Sequence, residues 1–475
     1  MTLLIASVHG AIPEKLDGAD FLEIRIDGME TEECIEQLPS ILKASPLPTV
    51  LTCRSVDEGG MFEGEEEERF AMYQVALQSD SPPKYIDIEH ESLTRHPLLL
   101  DSVKTETTGI ILSWHDMKGR PPDLLQRAAA MQDVPRVDIV KMVWRARSIR
   151  DNLEAFDLLQ SRQQPMIAMC MGEYGIMSRV LAPKFGGFAT YAAVEGLEPT
   201  ASGQPTVQEL RSKYSFDTID ANTKVYGVIG DNVAHSASPM FHNAAFQAAN
   251  KNAVYLPLLI PRGWEHLKAS LSELQKYKAL DFSGASVTIP HKEEMIKLAT
   301  SCDEISTTVG AANTITIQND SIHANNTDVS ALLALCKEAS NILILGGGGV
   351  ARAAIVAAKN LGCEVFIATR RTEQSKSLAI EFCCKVASEE TKNIDTVINC
   401  TPVGMAGGND PNGNSLHTLA PWFTLDSSIS VLDTVYKPKT TPLLAMAEAA
   451  SCPIIHGEEM FRLQAVAQQE IWQQT

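Results

Sequence analysis

The first 215 residues alternate short apolar runs with amphipathic stretches, and this rhythm limits the fold more than any other feature of the chain. The runs are TLLIASV, FLEIRID, TVLTCR, YIDIEH, GIILSWH, DIVKMVW, PMIAMCM and FATYAAV. Eight such strands, separated by helical segments such as DNLEAFDLLQSR, predict a (β/α)8 barrel. An open doubly wound sheet would alternate in the same way. One residue breaks the apolar rule inside the sixth run: Lys141 lies between Val140 and Met142. A buried ammonium is costly unless it is paired or its pKa falls and it goes neutral.

Other polar residues sit at comparable places. Glu23 and Arg25 lie in the second run, Arg54 ends the third, His115 ends the fifth and Arg179 follows the seventh. In a barrel all of these, with Lys141, can face the carboxyl mouth where barrel active sites are built. Lys141 itself has three readings: a snorkelling strand-end lysine, a buried ion pair, or a desolvated amine able to form a Schiff base with a ketone. His115 beside such a lysine can move protons near neutral pH. The arginines suit an anionic substrate, because guanidinium grips carboxylate in a planar fork. An iminium acidifies the adjacent carbon and helps expel a hydroxyl one carbon further on. These residues therefore support a class I aldolase and a Schiff-base dehydratase equally.

The polar stretch TASGQPTVQELRSKYSFDTIDANTK closes this region and places a domain boundary near residues 212 to 222. A second set of strands follows in KVYGVIG, NAVYLPLLI and GASVTIP. A third unit opens with NILILGGGGVARAAIVAAKN, a strand, a glycine turn and a helix. Gly346 to Ala351 spell G-x-G-x-x-A, the form of a turn that brings backbone and a helix N-terminus to a pyrophosphate. The next strand, EVFIA, ends in TRRT where an NAD enzyme usually has an acid; Arg370 and Arg371 suit the 2′-phosphate of NADP instead. Upstream, Ser236 and Ser238 precede a helix and can bind a carboxylate or cap it. Thr288 ends a strand, Lys292 follows it within reach of a ketone, and Asn326 and Asp328 precede another helix.

A formal net charge of −19 argues against a nucleic-acid or anionic-membrane surface, though a site can still be locally basic. The ten cysteines are scattered without a CxxC pair, which suits reduced thiols in a cytoplasmic setting and makes metal ligation unexpected.

Two resemblances sharpen these readings. EIRID, TCRSVDEGG, SWHDMKGRPP, DIVKMVW, GIMSRVLAPKFGG and ASGQPT, in that order, resemble type I 3-dehydroquinate dehydratase across the first domain. The resemblance implies Lys141 as Schiff-base former, His115 as general acid/base and Glu58 as the carboxylate orienting it. It implies Glu23, Arg25, Arg54, Arg179, Thr200 and Gln204 as substrate contacts. From KVYGVIGD onward, HSASP, VTIPHK, GAANT, NNTD, GGGGVARA, RRT, NCTPVGM, DTVYKPKTTPLL and EEMFRLQA resemble shikimate dehydrogenase. That resemblance implies Lys292 as proton donor paired with Asp328, and Ser236, Ser238, Thr288, Asn313, Tyr436 and Gln464 around the substrate. It places Gly346, Gly348, Gly349, Arg370, Arg371, Thr372, Asn399 and Thr401 along NADP(H). The chain departs from that family's usual pattern at Val329, Arg370 and Glu459.

The combined expectation is a bifunctional 3-dehydroquinate dehydratase (type I)/shikimate dehydrogenase acting on small molecules with NADP(H) and no metal. Its expected domains are a barrel over 1–215, a substrate-binding domain over 222–335 with a C-terminal helix over 457–475, and a Rossmann domain over 336–456. The rival is a non-catalytic sensor built on the same folds, or a chain with one active half.

Overall fold

The computed structural model describes residues 1–474. The predicted barrel is present. Its strands are β1 (Leu3–His9), β2 (Phe21–Arg25), β3 (Thr49–Thr52), β4 (Tyr85–Glu89), β5 (Gly109–Asp116), β6 (Ile139–Arg145), β7 (Met166–Met171) and β8 (Ala189–Ala193). They form a parallel sheet in the order β7-β6-β5-β4-β3-β2-β1-β8. The Phe188 N–H donates to the Met166 carbonyl at 2.8 Å, joining the two ends of that order.

Period-two alternation explains the composition of each strand. Ile139 and Val143 of β6 join Ile5, Val50, Ile111 and Ile167 in the cluster inside the barrel. Lys141 lies between Ile139 and Val143 on that inward phase, while Val140, Met142 and Trp144 take the other face and are also buried. The strand is therefore apolar on both sides, as a parallel strand covered by helices must be.

The next strands are β9 (Lys224–Gly230), β10 (Ala253–Leu259), β11 (Phe282–Val287), β12 (Ser301–Cys302), β13 (Thr314–Gln318) and β14 (Ser321–Asn325), in the sheet order β10-β9-β11-β13-β14-β12. A third sheet holds β15 (Asn341–Leu345), β16 (Glu364–Ala368), β17 (Lys385–Val386), β18 (Thr396–Asn399), β19 (Ser430–Asp433) and β20 (Ile454–Ile455). It is parallel throughout, in the order β17-β16-β15-β18-β19-β20. Counted from β15 this is 3-2-1-4-5-6, the doubly wound dinucleotide-binding order. Ile342 and Ile344 serve one of its cores, Leu343 and Leu345 the other, so helices cover both faces.

The chain divides into two compact units. The first comprises Met1–Gly227, Asn232–Ile260 and Ala269–Phe282; the second comprises Val228–Asp231, Pro261–Lys268 and Ser283–Thr475. No described helix is long and apolar enough to cross a membrane.

Candidate active sites

One pocket in the first unit is lined by Glu23, Arg25, Arg54, Glu58, His115, Lys141, Arg179, Thr200 and Gln204. All nine barrel residues expected from the sequence thus meet in one place. Strand ends and the loops that follow them supply these side chains, because parallel pairing puts every carboxyl end at the same mouth.

Lys141 is 4 % exposed, and it is ion-paired. Its Nζ donates to Asp87 Oδ2 at 3.0 Å, lies 3.7 Å from Glu23 Oε1 and sits 4.0 Å from the centroid of the Tyr191 ring. Of the three sequence readings, the buried ion pair describes this geometry. Glu23 is held in turn by the hydroxyls of Ser7 and Thr52. Asp87 receives Arg54 Nη2 at 2.7 Å and Ser113 Oγ at 2.5 Å. Burial raises the Asp87 carboxyl, but Arg54, Lys141 and these hydrogen bonds outweigh it and hold its pKa at about 2.

His115 Nδ1 lies 2.7 Å from Glu58 Oε2. Burial above all, with Arg54 and Lys141 next, pushes the imidazole pKa well below its ordinary value. Burial also pushes Glu58 up to about 8, against the pull of Arg54. Both shifts favour uncharged forms at neutral pH. The second oxygen of Glu58, Oε1, is buried without a hydrogen-bond partner.

The three arginines are not equivalent. Arg25 is gripped by both oxygens of Asp27, at 2.7 and 2.8 Å. Arg54 is shared among Glu58, Asp87 and Glu89. Arg179, only 2 % exposed, has no carboxylate partner among the described residues. Its Nη1 reaches the Tyr191 carbonyl and Met169 Sδ, and its Nε is buried without a partner. Burial lowers its pKa to about 10. Gln204 accepts from the Thr200 hydroxyl at 3.1 Å, which ties the last loop residues together at the rim.

Sequence reasoning missed Asp87, Glu89, Ser113 and Tyr191. The run YIDIEH carried a signal: Asp87 and Glu89 share one phase of an apolar strand, the same anomaly that marks Lys141.

The second unit holds another lysine–carboxylate pair. Lys292, first residue of the helix Lys292–Leu298, places Nζ 2.6 Å from Oδ2 of Asp328, first residue of the helix Asp328–Leu335. Both are buried. Asn313 donates to Asp328 Oδ1 at 2.9 Å and to Gln464 Oε1 at 3.2 Å, so Asn313, Asp328 and Gln464 form one network. Asn326 Oδ1 accepts from the Asp328 N–H, orienting the helix start. Thr288 directly follows β11, its N–H bonded to the Ile229 carbonyl. Tyr436 packs on Phe461 with centroids 5.1 Å apart. Ser236 and Ser238 belong to the first unit, where the Ser236 hydroxyl accepts from the Ser238 N–H at the start of the helix Ser238–Ala248.

The glycine turn follows β15. Gly346 has φ +115°, a region closed to most side chains, and a Cβ at Gly349 would lie 2.9 Å from Lys292 Cβ. The second fact brings the turn against Lys292. Around Gly348 a Cβ would meet nothing within 4 Å, leaving backbone open to a phosphate. The Gly346 N–H bonds to the Ala368 carbonyl, so the end of β16 and Arg370, Arg371 and Thr372 lie beside the turn. Arg370 and Arg371 are exposed. Asn399, fully buried, donates to Asp433 at 2.8 Å and accepts from Thr401 N–H and Oγ1. It shapes the turn at the switch point, and Thr401 stands in front of it. Among the described residues no cluster of metal-binding side chains occurs.

A barrel with a buried lysine between carboxylates and a doubly wound sheet with a lysine–aspartate pair at its glycine turn define a two-site enzyme, one half a lyase and the other an oxidoreductase. Comparison with known proteins agrees. Residues 9–221 match the family Type I 3-dehydroquinase, and residues 228–315 match the shikimate dehydrogenase substrate binding domain. The chain is 33% identical over 486 residues to the chloroplastic bifunctional 3-dehydroquinate dehydratase/shikimate dehydrogenase of Arabidopsis thaliana, covering 96% of this chain and 78% of that one. It is 29% identical to the shikimate biosynthesis protein AroDE of Chlamydia pneumoniae over 82% of this chain and 78% of that one. It is 37% identical to the NADP(+) shikimate dehydrogenase of Syntrophobacter fumaroxidans, over 53% of this chain and 87% of that one. The chain belongs to the bifunctional 3-dehydroquinate dehydratase/shikimate dehydrogenases of the shikimate pathway.

Proposed function

We propose that the barrel dehydrates 3-dehydroquinate to 3-dehydroshikimate through an imine at Lys141, and that the second site reduces this ketone to shikimate with NADPH. The observation that carries the reading is the convergence on one pocket of the buried Lys141, the His115–Glu58 pair and the unpaired Arg179. Arg179 takes the substrate carboxylate, with Thr200 and Gln204 at the rim. Lys141 attacks the ketone carbon. His115, oriented by Glu58, removes a proton from the adjacent carbon and returns one to the departing hydroxyl.

In the second site Lys292 gives a proton to the ketone oxygen, and Asp328, 2.6 Å from its Nζ, aims it. NADPH supplies the hydride when bound. Gly346, Gly348 and Gly349 offer the backbone for its pyrophosphate, with Thr401 across the switch point, and Arg370, Arg371 and Thr372 face its 2′-phosphate. Thr288, Asn313, Tyr436 and Gln464 are assigned to the substrate. The domain limits 1–215, 222–335 with 457–475, and 336–456 follow from this division of labour. Ten free cysteines support a reducing, cytoplasmic location.

Borohydride added during turnover of 3-dehydroquinate should leave the reduced ligand mass on the peptide carrying Lys141. Fully active protein that yields no adduct would sink the imine.

A further inference from the structure

Lys141 is a nucleophile placed against an anion, which at first sight works against it. A carboxylate 3.0 Å away engages the amine in an ion pair, and an amine so engaged must be released before it can attack. The fold nevertheless invests heavily in this carboxylate. Asp87 is 1 % exposed and is fixed by three donors on three other strands or strand ends: Arg54 after β3, Ser113 on β5 and Lys141 on β6. Register explains the meeting, since Thr52 pairs with Asp87 and Ser113 with Lys141. Glu23, the other acid near Lys141, is further off at 3.7 Å, and its oxygens are engaged by Ser7 and Thr52.

The charge balance of the reaction shows what such an anion is for. The lysine ammonium and the ketone give an iminium and one water, with the positive charge on the same nitrogen before and after. Removal of the neighbouring proton by His115 sends the C–H electron pair into the new carbon–carbon double bond and the iminium pair onto nitrogen, giving a neutral enamine. Loss of the hydroxyl as water, with the proton returned by His115, restores a cationic and now conjugated iminium. Water then hydrolyses it to the product ketone and the lysine ammonium. The nitrogen is a cation in the resting enzyme and in both iminium stages. The competing species is the neutral imine, which has lost the nitrogen proton and no longer draws electrons.

The geometry points to Asp87 as a catalytic counter-ion that keeps the Lys141 imine protonated throughout dehydration. This rests on the imine reading above and extends it to a residue outside the expected set. The carboxylate is suited to the role because Arg54 and Ser113 hold it as an anion that does not itself compete for the proton. Tyr191 contributes its ring face to the same cation.

The test uses the full chain with Asp87→Asn and Asp87→Glu, and two trapping reagents. Borohydride reduces neutral imines and iminium ions, whereas cyanoborohydride reduces the iminium selectively. In the wild type both reagents should label Lys141 to the same extent from pH 6 to pH 9. In Asp87→Asn, borohydride should still label Lys141, while cyanoborohydride labelling and dehydration kcat fall about tenfold per pH unit above a new midpoint in that range. Asp87→Glu should recover part of the pH-independent behaviour, and shikimate oxidation at the second site should stay unchanged in both variants. A flat, wild-type profile in folded Asp87→Asn would overturn the counter-ion role, as would loss of borohydride labelling at every pH. Absence of any adduct in the wild type would instead fail the imine reading itself. Should Asp87→Asn not fold, wild-type protein with 15N-labelled lysine ε-nitrogens decides the matter. Mixed with product at equilibrium, its imine nitrogen should keep the chemical shift of an iminium from pH 6 to pH 9, and a neutral-imine shift would refute the proposal.

Discussion

Glu58→Gln separates the catalytic worth of a buried carboxyl from its cost to the fold. Glu58 is 7 % exposed, and burial lifts its pKa from 4.5 to about 8. The unfolded chain releases this proton near pH 4.5, whereas the folded barrel holds it to about pH 8. The stability contributed by the buried, protonated carboxyl is therefore complete below pH 4.5 and is lost as pH rises through 8. The full displacement, 8 − 4.5 = 3.5 units at 1.36 kcal/mol each, amounts to about 5 kcal/mol, of which roughly 3 falls between pH 5 and pH 8. Glutamine fills the same space and cannot ionise, so the variant escapes this loss. Its barrel should melt progressively higher than the wild type as pH rises from 5 to 8, at about 2–4 °C per kcal/mol for a domain of this size. Hydrogen exchange read on barrel peptides, scanned with temperature, isolates that transition from the rest of the chain. Dehydration should move the opposite way. The wild-type log kcat/KM profile should carry a limb near pH 8 from the Glu58–His115 pair, and Glu58→Gln should remove it and lower kcat by roughly 10²-fold. Parallel melting curves for the two proteins across pH 5 to 8 would refute the reasoning. They would mean that the carboxyl is already ionised in the fold, held by Arg54 and His115.

At the second site, Lys292→Ala should abolish shikimate oxidation, on the order of 10²-fold or more, while dehydration persists. Loss of both activities in a folded variant, followed in separate steady-state assays, would break the two-site division. Arg370→Ala with Arg371→Ala should raise the KM for NADP+ by roughly 10- to 100-fold, leave NAD+ nearly unaffected and weaken the salt dependence of NADP+ binding. An equal effect on both cofactors would place these arginines away from the 2′-phosphate.

The sheet rhythm, the glycine turn and most of the site were legible because they are local. A strand covered on both faces reads as a continuous apolar run, so DIVKMVW could be taken for a buried strand with one anomalous lysine without knowing its neighbours. The glycines of GGGGVA report a turn that side chains would obstruct, and Gly346 and Gly349 bear that out. Thr200 and Gln204 came with their motif and do line the pocket. Charge state and commitment of the polar groups were not legible in the same way. Nothing in EIRID shows that Arg25 spends its fork on Asp27, and nothing in GIMSRVL shows that Arg179 has no carboxylate partner among the described residues.

The sequence by itself therefore determined which residue types stand at the mouth of a barrel and beside a nucleotide turn. Tertiary structure decided which of them are paired. Lys141 meets Asp87 across 54 residues, and Lys292 meets Asp328 across 36. Strand register and helix placement set those meetings, and no short-range pattern encodes them. Electrostatics acts through space and strengthens as water is excluded, so the properties of each amine belong to the folded neighbourhood.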